Sequence, residues 1–174
     1  SFLIAFLLGF VIIPWLRKLH FGQTILDIGP AWHKSKQGTP VMGGLMFIIS
    51  IIVSFAVVLI TDKLLGGHIL TSGSVVIGDD MKVKIFAGLL MAVAFGLIGF
   101  ADDYIKVAKK RNLGLTIAQK TGAQILVMLA YLAALYMSGN TYMFIPFVGN
   151  VDLKFFFWIF GIAVIYLTVN AVNF

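Results

Sequence analysis

The chain has no cysteine among its 174 residues and only 11% charged residues. The first absence excludes thiolate metal ligands and disulfides, though it says nothing of the compartment. The second excludes an ordinary water-soluble domain, because a chain that is 60% hydrophobic with a mean hydropathy of +1.03 has too little polar surface to cover one core. No internal repeat or low-complexity tract is evident. The opening FLIAFLLGFVIIPWLRK is apolar enough for a signal peptide, but its charges follow the apolar run and no small-residue cleavage site appears, so it reads as a retained helix.

What the chain does have is five apolar stretches, at about 2–16, 41–61, 85–101, 121–138 and 154–172, each near the roughly 20 residues that cross a bilayer. The expected fold is therefore all-α and polytopic, a single membrane domain over residues 1–174 with about five transmembrane helices. The chain starts at Ser1 and stops at Phe174 directly after an apolar run, which reads as an incomplete domain. Between the second and third stretches, GGHILTSGSVVIGDDMKVK alternates loosely and carries Ser-Gly and Gly-Asp turn signals, the pattern of a small external β-hairpin. His68, Asp79 and Asp80 in that segment are better explained as turn residues than as a metal site.

Charge orients these helices. The loops after the first and third stretches, about 17–40 and 102–120, hold Arg17, Lys18, Lys34, Lys36, Lys106, Lys109, Lys110, Arg111 and Lys120 against Asp27, Asp102 and Asp103. The opposite side holds four basic and four acidic residues. The whole net charge of +6 thus lies on one face, which the positive-inside rule makes cytoplasmic. A secondary transporter could share this asymmetry, but such proteins place ionisable or broken-helix sites near the bilayer midplane, and the five helix centres here carry no charge.

Asp102 and Asp103 interrupt the end of GLLMAVAFGLIGFADDYIK. At the centre of a membrane helix each would cost roughly 2.5–3.5 kcal/mol, so the pair belongs at a wet helix end. There the helix dipole is negative, and added carboxylates call for a cation. A divalent metal answers that need, since Mg²⁺ takes one or two carboxylates together with water and phosphate oxygens. The simpler alternative is a helix end with ordinary pairing, Asp102 and Lys106 standing i,i+4 in the favourable order for about 0.2–0.5 kcal/mol.

Three further clusters fall on the same face. The loop TILDIGPAWHKSKQGTPVMGG brings His33, Lys34, Lys36 and Thr39 beside Gly38, a combination suited to an anion at a helix start or to anionic lipid. Lys120 begins the fourth helix, where a lone lysine would ordinarily snorkel. Asn170 and Asn173 stand three apart on one helical face, and their carboxamides can donate to phosphate or sugar oxygens and accept from an amide. Four chemically different clusters on one face point to a site more than to independent anchors.

The segments DIGPAWHKSKQGTPVMGG, GFADDYIKVAKKRNLGLT-x-x-QK and NAVNF resemble, in order, three signatures of the phospho-N-acetylmuramoyl-pentapeptide transferase family. That resemblance implies a bacterial inner-membrane fold of ten helices, of which this chain would be the N-terminal half. It also implies Mg²⁺-dependent transfer of phospho-MurNAc-pentapeptide from UDP-MurNAc-pentapeptide to undecaprenyl phosphate, with release of UMP. By motif, Asp102 and Asp103 match the paired acids, as catalytic and metal-binding residues, and Lys120 a catalytic lysine. Lys34, Thr39, Lys106, Asn170 and Asn173 fall to substrate binding. The partners implied are the two substrates, membrane lipid and the C-terminal half of the protein, with a homodimer left open and no nucleic acid. A related polyprenyl-phosphate N-acetylhexosamine-1-phosphate transferase would share the acids and asparagines but use another UDP-sugar, and GPAWHKSKQGTPVMGG argues for the muramoyl enzyme. The family follows NAVN with a further acidic block and later a His-rich loop, so residues 1–174 alone are expected to be inactive.

Overall fold

The structure is a computed structural model and describes residues 1–18, 42–66, 79–109 and 113–171. Among these described residues five helices and one hairpin follow in the order α1 (Phe2–Lys18), α2 (Gly44–Leu64), α3 (Asp79–Ala108), α4 (Ile117–Met137), β1 (Tyr142–Ile145), β2 (Gly149–Asp152) and α5 (Phe156–Ala171). Among the described residues three helices are long and apolar enough to cross a membrane: Gly44–Leu64, Met81–Ala108 and Ile117–Met137. At 16 residues α5 is about 24 Å long, short of the roughly 30 Å hydrocarbon layer. The helices leave large apolar side chains such as Phe10, Val57, Leu97, Leu126 and Leu167 exposed. In water so much exposed apolar surface would drive association; against lipid tails it costs nothing.

The chain divides into two compact units, Ser1–Gly67 with Gly96–Thr116, and His68–Phe95 with Ile117–Phe174. In the first, Leu16 of α1 and Ser50 of α2 are buried. Gly96 of α3 meets Ile48 of α2 so closely that a Cβ there would stand 2.5 Å from the Ile48 Cδ1. A small residue at this position lets the two backbones approach, which in lipid is a main source of helix association.

The second unit is built on α4 against α5. Leu132, Leu135 and Phe157 form its buried cluster, with Tyr131, Leu153, Trp158, Ile162 and Ile165 packed around it. Gly161 makes room for Leu132, whose Cδ2 would lie 2.6 Å from an added Cβ. Tyr136 and Trp158 extend the contact, their ring centroids 5.7 Å apart.

Between α4 and α5 the chain forms an antiparallel hairpin, pairing Tyr142 with Asp152 and Ile145 with Gly149. Its turn is closed by Val148 N–H donating to Ile145 O at 3.1 Å, with Pro146 and Phe147 at the centre. Pro146 fits the first central position, but Phe147 carries φ 70, a conformation ordinarily given to glycine or asparagine in this turn. A hairpin thus lies here, between α4 and α5, whereas loose alternation had suggested one in the 66–84 segment. Residues 67–78 of that segment fall outside the described residues, and from Asp79 onward the chain is already α3.

The open end of the hairpin is tied by Asp152. Its Oδ1 accepts from Thr141 Oγ1 at 2.6 Å and from the Lys154 N–H at 3.2 Å. The Thr141 hydroxyl, chiefly, and then the Lys154 amide hold its carboxyl below the ordinary 3.8. A depressed folded pKa contributes stability that is present above the unfolded value and is lost as pH falls through the folded one. Thr141→Val should therefore bring the Asp152 pKa back toward its ordinary value, so that the hairpin frays more near neutral pH and loses less protection on acidification, as followed by hydrogen exchange of the 142–152 amides on a pH series. An unchanged pH dependence would show that the carboxylate does not close the hairpin.

Candidate active site

Helix α3 is 30 residues, about 45 Å, and so outruns the apolar stretch at 85–101. Asp102 and Asp103 accordingly lie inside the helix, almost two turns before its end at Ala108. The continuation is favoured by Lys106 in the last turn, where a cation complements the dipole.

Lys106 is the centre of the cluster. Its Nζ sits 2.6 Å from Asp102 Oδ2 and 3.0 Å from Asp103 Oδ1, reaching one acid at i,i+4 and the other at i,i+3. The Asp102 side chain is 16% exposed and that of Asp103 32%, so the acids stand in different surroundings. Asp102 also accepts, at 2.8 Å through Oδ1, the backbone N–H of Leu115, thirteen residues on. Both of its oxygens are thus engaged. Among the described residues Asp103 Oδ2 carries no hydrogen bond.

The Leu115 contact depends on Gly114. A Cβ at that position would run into the Asp102 side chain and stand 2.7 Å from the Asp102 backbone oxygen. The carbonyl cannot swing aside without breaking the helix, so the loop can lie on α3 only with glycine here. Neither Gly114 nor the Leu115 amide was identified as a site residue from sequence; a Leu-Gly-Leu run gives no sign of which carboxylate a loop amide will meet.

Two adjacent carboxylates bridged by one ammonium retain one excess negative charge. That donor set fits a hard divalent cation bound mainly through Asp103, with the remaining positions left to water and phosphate oxygens. Among the described residues no cluster of three or more His, Cys, Asp or Glu side chains exists that would build a full protein cage.

In the other unit the structure pairs Asn170 with a residue of α4 that no sequence motif marked. Gln124, only 3% exposed, lies one turn after Lys120 on the same face of α4. Its Oε1 accepts from Asn170 Nδ2 of α5 at 3.4 Å, and the same Nδ2 donates to Tyr166 O at 2.9 Å. A lone glutamine in the run TGAQILVMLAYLAALYM was the available signal, since a polar residue facing a helix neighbour in lipid seldom lacks a role. Lys34, Thr39 and Asn173, like His33 and Lys36, lie outside the described residues.

The fold and this cluster define a helical membrane protein with a paired-aspartate site at the polar end of a long helix. Over 178 residues the chain is 41% identical to the phospho-N-acetylmuramoyl-pentapeptide-transferase of Bacillus licheniformis, a match covering 99% of this chain and 49% of that protein. It is 39% identical to the protein of the same name from Bacillus cytotoxicus, with the same coverage, and 38% identical over 175 residues to that of Oceanobacillus iheyensis. The chain is homologous to the N-terminal half of these transferases, and it spans about half the length of the curated relatives it matches. No protein-family model matches it, and no solved structure does.

Gly114→Ala should release the Leu115 amide from Asp102. A hydrogen bond to a charged group is worth about 1.5–3 kcal/mol, so exchange of the Leu115 N–H should quicken by about tenfold or more. Gly122→Ala, which meets nothing within 4 Å, serves as the control. Equal protection in both variants would remove the loop from the acid site.

Proposed function

We propose that this chain forms part of a membrane transferase that moves phospho-MurNAc-pentapeptide from UDP-MurNAc-pentapeptide to undecaprenyl phosphate. The observation that carries this reading is identity of 38–41% along 99% of the chain to proteins named phospho-N-acetylmuramoyl-pentapeptide-transferase. The Lys106-bridged acid pair supplies chemistry suited to it.

In this reading a carboxylate of the pair takes the proton from the lipid phosphate. The freed oxygen forms a new bond to the sugar-linked phosphorus of the nucleotide sugar. The bond from that phosphorus to the UMP oxygen breaks, and its electron pair leaves with UMP. Mg²⁺, when bound, supplies the charge that offsets the diphosphate and the departing UMP. Lys106 keeps the two acids side by side, and Leu115 N–H fixes Asp102 in one rotamer. Lys34, Thr39 and Lys120 provide positive charge and donors for the anionic substrates, and Asn170 and Asn173 provide carboxamides. The relatives are about twice as long, so the C-terminal half is taken as the remaining wall of the site, and residues 1–174 alone as silent.

Asp102→Asn and Asp103→Asn in the complete protein should each cut turnover by at least about 10²-fold, the lower range for a positioned acid–base group. Thermal melting in detergent should be little changed. Near-normal Mg²⁺-dependent activity in both would refute the assignment.

In this reading the site lies on the cytoplasmic face of the bacterial inner membrane, an orientation that the basic excess supports. Because residues 1–174 contain no cysteine, single replacements report cleanly. Lys34→Cys and Lys110→Cys should resist an impermeant maleimide in intact cells and react after permeabilisation. Labelling from outside would invert the topology.

A further inference from the structure

The contact between Gln124 and Asn170 fixes which end of the asparagine a substrate meets. A backbone carbonyl only accepts hydrogen bonds, so the 2.9 Å contact with Tyr166 O requires the amide nitrogen of Asn170 to face it. The second hydrogen of that nitrogen points to Gln124 Oε1, the longer contact at 3.4 Å. Gln124 must in turn present its oxygen, since the reverse orientation would set two donors against each other. With both hydrogens assigned, Asn170 Oδ1 is left without a hydrogen bond among the described residues.

We infer that Gln124 is a positioning residue that holds Asn170 with its carboxamide oxygen, and not its amino group, turned to the substrate. The inference rests on the transferase reading and narrows it. A carboxamide oxygen repels phosphate oxygens and receives an electropositive atom, either an N–H or O–H of the nucleotide sugar or a divalent cation. Sequence alone left Asn170 able to donate to a phosphate. The hydrogen bonds on the helix remove that role. Gln124 itself stays buried, tying α5 to α4 one turn above Lys120.

The test uses the complete protein with the variants Gln124→Met, Gln124→Glu, Asn170→Ala and Gln124→Met/Asn170→Ala. Gln124→Met keeps the shape but loses the acceptor, and should lower kcat/KM about tenfold, the middle of the range for coupled neighbours. Gln124→Glu retains an acceptor and should recover to within about threefold of wild type. A rise in KM for UDP-MurNAc-pentapeptide identifies the electropositive atom as a substrate donor. A rise in the Mg²⁺ concentration for half activity identifies it as the cation. A selective rise in KM for undecaprenyl phosphate would overturn the inference, as would equal losses in the Met and Glu variants.

Thermal melting of the four proteins of the double-mutant cycle decides the contact even where Asn170→Ala is inactive. The Gln124→Met shift should shrink once Asn170 is gone, and equal shifts in both backgrounds would overturn the pairing. A wild-type protein that releases no UMP would defeat the transferase reading, while the melting cycle would still report on the pair.

Discussion

One ammonium between two neighbouring carboxylates is the interaction on which the site depends. Without Lys106, Asp102 and Asp103 would repel each other near the C-terminal end of a helix whose own dipole is negative there. The ion pairs are partly exposed, so their direct contribution to stability is small, about 0.2–0.5 kcal/mol for a pair on a helix surface. Their effect is on geometry. They draw two consecutive acids of one turn toward a single ammonium a turn further on, and among the described residues leave Asp103 Oδ2 without a hydrogen bond.

The same economy of contacts appears in the second unit. Leu132 packs over Gly161, Phe157 fills the space beside it, and the resulting close approach brings α4 near enough to α5 for Gln124 to reach Asn170. In lipid, where apolar side chains gain little by leaving the solvent, small residues and a buried polar pair are what hold helices together. The asparagine is thereby oriented by the packing of the helices that carry it. Chemistry and architecture meet in one hydrogen bond.

Much of this was legible in the sequence, and the exceptions have physical reasons. The apolar runs located the helices, and the interruption of the third located the acid pair near its polar end, because hydropathy is a local and large signal. The length of α3 was not legible from hydropathy, which marks where lipid ends and not where the helix ends; the Asp102–Lys106 spacing was the better guide. Gly114 and the Leu115 amide act across thirteen residues through a loop, and no periodicity reports such closure. The hairpin at Tyr142–Asp152 was not marked by alternation, since Phe147 at φ 70 occupies a position that residue type rarely takes, and most of the segment before α3 where one was expected lies outside the described residues. Gln124 was visible as a polar residue in an apolar run, yet only the α4–α5 contact shows what it serves.

The central claim is that the paired acids serve transfer of a phosphosugar from a muramoyl nucleotide, and substrate choice tests it most directly. UMP release by the complete protein, with undecaprenyl phosphate and Mg²⁺ present, should proceed with UDP-MurNAc-pentapeptide and be near background with UDP-GlcNAc. Preference for UDP-GlcNAc, or no release from either nucleotide sugar, would contradict the account.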